Sequence, residues 1–262
     1  AVVLALVLCM ALCAVGSAAD KYKVGILAPA VTHGWVAGVA YNAEQECLAL
    51  ADEVDYKLYT SNNAEEMTTQ LDDLMTWGAQ AIVAFPQWEG METAMQEIID
   101  SGIPVVNFDV DVDCTGIYKV TGDNYDMGYQ SAKYIVEKAG EAAHIVVLDV
   151  PSSGSVCELR KQGFYAYLDE ISYDKSNIKE YQLNSFAAAD AQSAMADILE
   201  ANPQIDAIFS MDDETSIGTL NTLVEAGRTD VKAITGGGGC QDYFNAIVAN
   251  KDQIAACSAL YS

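Results

Sequence analysis

Residues 81–109 read AIVAFPQWEGMETAMQEIIDSGIPVVNFD, and this stretch decides the fold. Ala81–Phe85 is a short apolar run of strand type, Met91–Ser101 carries a helical pattern, and Pro104–Phe108 is a second apolar run. Strand, helix and strand in about thirty residues form a βαβ unit, whose two strands lie parallel. Both strands are largely apolar rather than alternating, as expected where helices cover both faces of a sheet.

The same rhythm extends in both directions. Toward the N-terminus, residues 22–28 read as a strand and residues 35–52 as a helix, with Val36, Val39, Ala43, Cys47 and Leu50 on one stripe. Tyr56–Thr60 is a strand. Asn63 is placed to cap a helix whose core face is Met67, Leu71, Leu74 and Met75, with Gly78 ending it. Toward the C-terminus, a second series begins after Gly122-Asp-Asn124. It runs helix 126–138, strand His144–Asp149, helix 157–169, strand Ile178–Leu183, helix 190–201, strand Ile205–Met211, helix 214–226, strand Val231–Thr235, helix 241–250 and strand Ile254–Ala259. Two successive doubly wound series predict an α/β fold of two parallel-sheet lobes, residues 20–123 and 124–258, joined by a hinge near Gly122–Asn124.

Residues 1–19, AVVLALVLCMALCAVGSAA, are apolar, uncharged and end in small residues, and so read as part of a secretory signal peptide with Asp20 opening the mature chain. An exported protein, periplasmic or at the cell surface, has little ATP or nicotinamide cofactor to use, which weighs against most enzymes. Cys13 as a lipidated first residue is the alternative, although Leu12 is a poor neighbour for that processing. The chain carries 38 acidic against 13 basic residues, a net charge of −25. Such a surface repels nucleic-acid backbones and anionic lipid headgroups. Cys47, Cys114, Cys157, Cys240 and Cys257 contain no CxxC pair, so they read as buried free thiols, a single disulfide being the alternative.

In open parallel sheets, ligands bind outside the carboxyl ends of the strands. Those positions hold Thr32, His33 and Trp35, then Phe85, Gln87 and Trp88, then Asp109 in the first series. In the second they hold Glu158, Phe186, Asp212, Gly237 and Gly238. The set is aromatic and acidic. Rings at strand ends suit the C–H faces of sugars and polyols, and also organic cations. Gly236–Gly239 sits where a phosphate loop would lie, but Gln241 breaks the dinucleotide fingerprint and no phosphate-loop lysine follows; a tight turn close to a ligand is the expectation. Asp109, Asp111 and Asp113 open like a calcium loop, yet Cys114 and Val120 stand where that loop needs Gly and Glu. His144, at a strand start, reads as structural. No hydrolase triad pattern is present. No cofactor, metal or catalytic residue is expected.

These residues resemble the periplasmic sugar-binding proteins of ABC transporters, the ribose-binding-like group with a type I periplasmic-binding fold. The resemblance rests on the opening strand, Ile103-Pro-Val-Val-Asn-Phe-Asp109, Gly122-Asp-Asn124 with Gly128, Arg160 with Gly163-Phe164, and Ile208-Phe-Ser-Met-Asp-Asp-Glu214. It implies two lobes linked by three crossings, of which residues 259–262 begin one back to the first lobe, and a chain truncated at its C-terminus relative to the family. It also implies a ligand between the lobes, touched by Thr32, Trp35, Phe85 or Gln87, Asp109, Glu158, Phe186, Asp212 and one of Gly237 and Gly238. The family has Arg after the matching Asp109, where this chain has Val110, and a ligand-binding Arg where Glu158 aligns, Arg160 taking a more structural place. Losing both guanidinium forks argues against ribose itself. The function implied is the solute-binding component of an ABC importer, a monomer whose partners are a small carbohydrate or polyol and a membrane permease. An amine-bearing ligand, or a sensory module that presents its ligand to a receptor, are the alternatives.

Overall fold

A computed structural model of the chain describes residues 21–31, 34–88 and 90–261. The proposed signal segment, Thr32 and His33 therefore lie outside the described residues. The first lobe runs β1 (Tyr22–Pro29), α1 (Gly34–Ala49), β2 (Val54–Ser61), α2 (Ala64–Trp77), β3 (Ala81–Ala84), α3 (Glu92–Asp100), β4 (Val105–Phe108) and β5 (Tyr118–Val120). The second runs α4 (Asn124–Ala139), β6 (Ile145–Asp149), α5 (Ser155–Glu170), β7 (Ile178–Gln182), α6 (Ala188–Ala201), β8 (Ala207–Ser210), α7 (Asp213–Glu225), β9 (Ala233–Gly237), α8 (Gln241–Asn250) and β10 (Ala255–Ala259).

Each lobe holds one five-stranded sheet, in the orders β2-β1-β3-β4-β5 and β10-β9-β8-β6-β7, and every pairing is parallel. Read in chain order, both sheets share one topology, reversing direction between the first and third strands of the lobe. The crevice at such a reversal is where these folds bind ligands. In β6 all five residues are buried, so the continuous apolar run reflects helices on both faces. In the first sheet Leu27, Ile82, Ala84 and Val105 pack against Met67, Leu71 and Leu74 of α2 and Met95 and Ile98 of α3. Ile26 and Val83, one residue out of phase, face α1 instead.

Local chemistry explains most boundaries. Asn63 Oδ1 accepts the Glu66 amide at 2.9 Å while Glu66 Oε2 accepts the Asn62 amide at 2.7 Å, so both ends of the first turn of α2 are satisfied. Gly78, at φ 83°, closes the same helix in the left-handed region. The sequence reading misses β5, a three-residue exposed edge strand with no burial pattern. On α1, Val36 and Cys47 are buried as expected, but the helix ends at Ala49 and Leu50 is 39% exposed in the following turn. Cys47, Cys114, Cys157, Cys240 and Cys257, the cysteines among the described residues, are free thiols, three of them buried.

Candidate functional site in the cleft between the lobes

The loop after β4 is wound tightly by Asn107, a residue 2% exposed whose Oδ1 accepts the Val112 amide at 3.0 Å and whose Nδ2 donates to the Val110 carbonyl at 2.7 Å. That winding puts Asp109 at φ 66°, a left-handed conformation unusual for a residue other than glycine. Such departures are held where the surroundings demand them. The result aims a buried carboxylate across the cleft. Trp35 Nε1 donates to Asp109 Oδ2 at 3.4 Å, and the Tyr261 hydroxyl donates to Oδ1 at 2.5 Å. Trp35 itself stacks on Phe108 at 6.3 Å between centroids, and Phe85 meets Phe108 edge-on at 5.9 Å.

From the second lobe, α4 and α5 cross closely. A Cβ on Gly128 would lie 1.8 Å from the Arg160 carbonyl oxygen, and one on Gly163 would lie 1.9 Å from that of Tyr125. This seats Arg160, 6% exposed, with Nε donating to Asn124 Oδ1 at 2.8 Å and Nη1 to the Met211 carbonyl at 2.6 Å. Asp212 caps α7, its Oδ1 accepting the Glu214 amide at 2.8 Å. Burial pushes its carboxyl up to about 7, against the opposing pull of the Arg160 charge. Near neutrality Asp212 therefore offers both an O–H donor and acceptor oxygens. Gly238, at φ 112°, turns the chain beside it, where a Cβ would lie 3.7 Å from Asp212 Oδ2.

Among the described residues, Val110 packs against the second-lobe core and two further hydrogen bonds cross this cleft. Glu214 Oε1 accepts the Gly34 amide at 2.5 Å, at the N-terminus of α1, and the Asp111 amide donates to Ser155 Oγ at 3.0 Å. The inner chamber they close over is small, about 30 Å³, lined by Trp35, Phe85, Gln87, Asp109, Val110, Ser153, Val156, Arg160, Phe186, Asp212, Gly237, Gly238 and Tyr261. That is room for about two waters, so a larger guest requires the lobes to part. An outer chamber of about 220 Å³ continues past Gln87 and Phe186 to Trp88, Asn62, Ser152 and Asn184.

Eight of the residues singled out in the sequence thus meet in the inner chamber: Trp35, Phe85, Gln87, Asp109, Phe186, Asp212, Gly237 and Gly238. Trp88 stands in the outer chamber and packs partly on the first-lobe core. Glu158 requires correction: it is exposed and lines neither chamber, whereas Arg160 does. Residues two apart on a helix point about 200° apart, so the rotation of α5 that buries Arg160 turns Glu158 to solvent. The expectation that no guanidinium reaches the cleft falls with it. Tyr261 was legible only as chain beyond the last strand; the rule that picks carboxyl ends of strands also applies to β10 and would have flagged it. Among the described residues, no group of three His, Cys, Asp or Glu comes together as a metal site, and Asp111 pairs instead with Lys119 at 2.6 Å. His144 bonds Asp206 at 3.1 Å, away from the cleft.

A larger cavity, about 630 Å³, lies between α1 and the Ile26–Val83–Phe108 face of the first sheet. Its walls are mostly apolar, with Asp212, Asp213 and Glu214 along one rim. A polyhydroxylated guest would lose its hydrogen bonds there. The inner chamber, where polar groups from both lobes converge, is the better-suited site despite its smaller volume.

Known proteins place the chain in the same frame. The D-apiose import binding protein of Actinobacillus succinogenes is 27% identical over 220 residues, covering 81% of this chain and 69% of the relative. The ribose import binding protein of Escherichia coli is 26% identical over 189 residues, covering 70% of this chain and 63% of the relative. The chain thus spans about two thirds of the length of these curated relatives. An ABC transporter solute binding protein from Mycobacterium smegmatis, solved with bound glycerol, superposes with a TM-score of 0.76 at 25% identity, over 87% of this chain and 78% of that one. Residues 24–259, nearly all of the two lobes, match the periplasmic binding protein domain, and the chain belongs to that family.

Proposed function

We propose that this chain is the extracytoplasmic solute-binding component of an ABC importer and that it holds a small neutral carbohydrate or polyol between its lobes. The observation that carries this reading is the convergence, from opposite lobes, of Asp109 and Asp212 beside the rings of Trp35, Phe85 and Phe186. Carboxyl groups on two sides bond several hydroxyls at once, and flat rings cover the apolar face of a sugar. The names of the relatives support the same class, one importing apiose, one ribose.

Ligand contact falls to Trp35, Phe85, Gln87, Asp109, Phe186, Asp212, Gly237 and Gly238, with Arg160 in the place first given to Glu158 and Trp88 at the entrance. The protein does no chemistry and returns its ligand unchanged. Groups on both lobes are satisfied by ligand only when the lobes approach, so binding favours the closed form, which the membrane permease recognises. Membership of the family also supports export, to the periplasm or cell surface.

A thermal-shift screen of neutral sugars, polyols, sugar acids and amines tests this. A ligand at about a hundred times its dissociation constant adds about 2.7 kcal/mol of stability. Stabilisation by neutral sugars or polyols is the expected result. Stabilisation by amines alone, or conversion of the ligand into a product, overturns the reading.

A further inference from the structure

Tyr261 follows the last strand of the second lobe yet sits against the first. Its hydroxyl, with one proton and two lone pairs, lies within hydrogen-bond distance of three protein side chains. The proton goes to Asp109 Oδ1 at 2.5 Å, the oxygen accepts from Asn124 Nδ2 at 3.4 Å, and the Thr121 hydroxyl lies 3.2 Å away, its own proton also within reach of the Gly122 carbonyl at 3.3 Å. Asn124 in turn accepts from Arg160 Nε at 2.8 Å, so a continuous chain of hydrogen bonds joins Asp109 of one lobe to Arg160 of the other. The ring is fixed as firmly as the hydroxyl. It meets Trp35 edge-on at 5.3 Å, lies 5.3 Å beneath the Arg160 guanidinium, and rests on Gly122, where a Cβ would stand 2.4 Å from two ring carbons.

We infer that Tyr261 is the floor of the ligand chamber, a specificity-determining residue that limits the size of the guest by its ring and orients Asp109 by its hydroxyl. The inference rests on the carbohydrate site proposed above. A phenol that donates its one proton to Asp109 and is crowded by Asn124 and Thr121 has little to offer a ligand hydroxyl, so the ring acts as a wall rather than a partner. Because the wall is pinned from three sides, it does not yield to a longer guest as a lone flexible side chain would. The chamber therefore favours compact ligands, a short polyol or a five-carbon sugar, over a hexose, and excludes a disaccharide.

The test is a set of calorimetric titrations with glycerol, a pentose, a hexose and a disaccharide. Wild-type protein should bind the smaller probes and reject the disaccharide. Tyr261→Ala should narrow the preference for pentose over hexose by at least tenfold. Tyr261→Phe keeps the wall and should preserve the order of sizes while weakening every ligand about tenfold, the loss expected for a hydrogen bond to a carboxylate. Gly122→Ala pushes the ring upward and should weaken the hexose before the pentose. Adding Tyr261→Ala to Gly122→Ala should reverse that loss, a coupling that a merely structural residue does not produce. Gly122→Ala, which keeps Tyr261, carries the test by itself if Tyr261→Ala folds poorly: an equal loss for hexose and pentose then overturns the size-limiting role. An unchanged size order in Tyr261→Ala, or a loss in Gly122→Ala that the second substitution does not reverse, overturns the size-limiting role. Unweakened binding by Tyr261→Phe overturns the orienting role. Failure of the wild type to bind any probe overturns the carbohydrate reading itself, which distinguishes the two failures.

Discussion

Replacing Asp212 by Asn removes the charge from a carboxyl that is 8% exposed while keeping the oxygen that caps α7. In the folded protein Asp212 titrates at about 7, against an ordinary value of 3.8. Between those two values the folded chain holds a proton that the unfolded chain has released. Stability must therefore fall as pH rises through this window and level off above it. The full displacement corresponds to about 4 kcal/mol, of which about 3 kcal/mol falls between pH 5 and pH 8. The Asp212→Asn protein lacks this term and shares the other ionisable side chains with the wild type. Its advantage in stability should grow by about 3 kcal/mol from pH 5 to pH 8, or about 6–12 °C in melting temperature for a protein of this size. Differential scanning calorimetry of ligand-free protein at both pH values reads it directly. Melting temperatures that run parallel for the two proteins across this range would refute the argument that burial keeps Asp212 protonated.

The remaining predictions concern the cleft. Trp35→Ala should weaken the ligand found by screening by about 1–3 kcal/mol, with little change in melting temperature; an unchanged dissociation constant removes Trp35 from the site. Glu214→Ala removes the acceptor of the Gly34 amide across the lobes, and should raise the radius of gyration of ligand-free protein and lower affinity about threefold to tenfold. If scattering and affinity both stay as in the wild type, that contact does not hold the lobes together. Sugar acids should fail to bind, because Asp109 and Asp212 line the chamber, a carboxylate guest would favour neither, and the Arg160 guanidinium is already engaged by Asn124 and the Met211 carbonyl. Affinity for a neutral ligand should barely move with ionic strength, whereas a steep fall with salt would indicate a cationic one.

Most of the architecture was legible because the inner strands are largely apolar runs and the helices carry their own start and stop signals, as at Asn63 and Gly78. What escaped lacked such a signal. Strand β5 has three exposed residues and gains its place only by pairing with β4. In the site, Trp35, Asp109, Phe186 and Asp212 were found because strand ends converge in this topology whatever the side-chain detail. Glu158 and Arg160 were exchanged because the choice between them depends on the rotation of one helix, set by the contacts of Gly128 and Gly163 with backbone from the neighbouring helix. Tyr261 approaches a partner 152 residues away, a proximity no local pattern encodes. The apolar cavity beside α1 was hidden for a related reason: Val39 and Ala43 read as core-facing, and they do face inward, but onto open space.

The central claim is that one neutral ligand is gripped by both lobes at once. It is tested most directly by calorimetric titration of the tightest neutral sugar or polyol into wild-type, Asp109→Asn and Asp212→Ala proteins at one pH, the alanine removing both the donor and the acceptors that Asp212 offers. Each substitution, one in each lobe, should weaken the same ligand at least tenfold, about 1.4 kcal/mol. Wild-type affinity in either variant would contradict the account, since a ligand indifferent to one of the two carboxyl groups is not held between them.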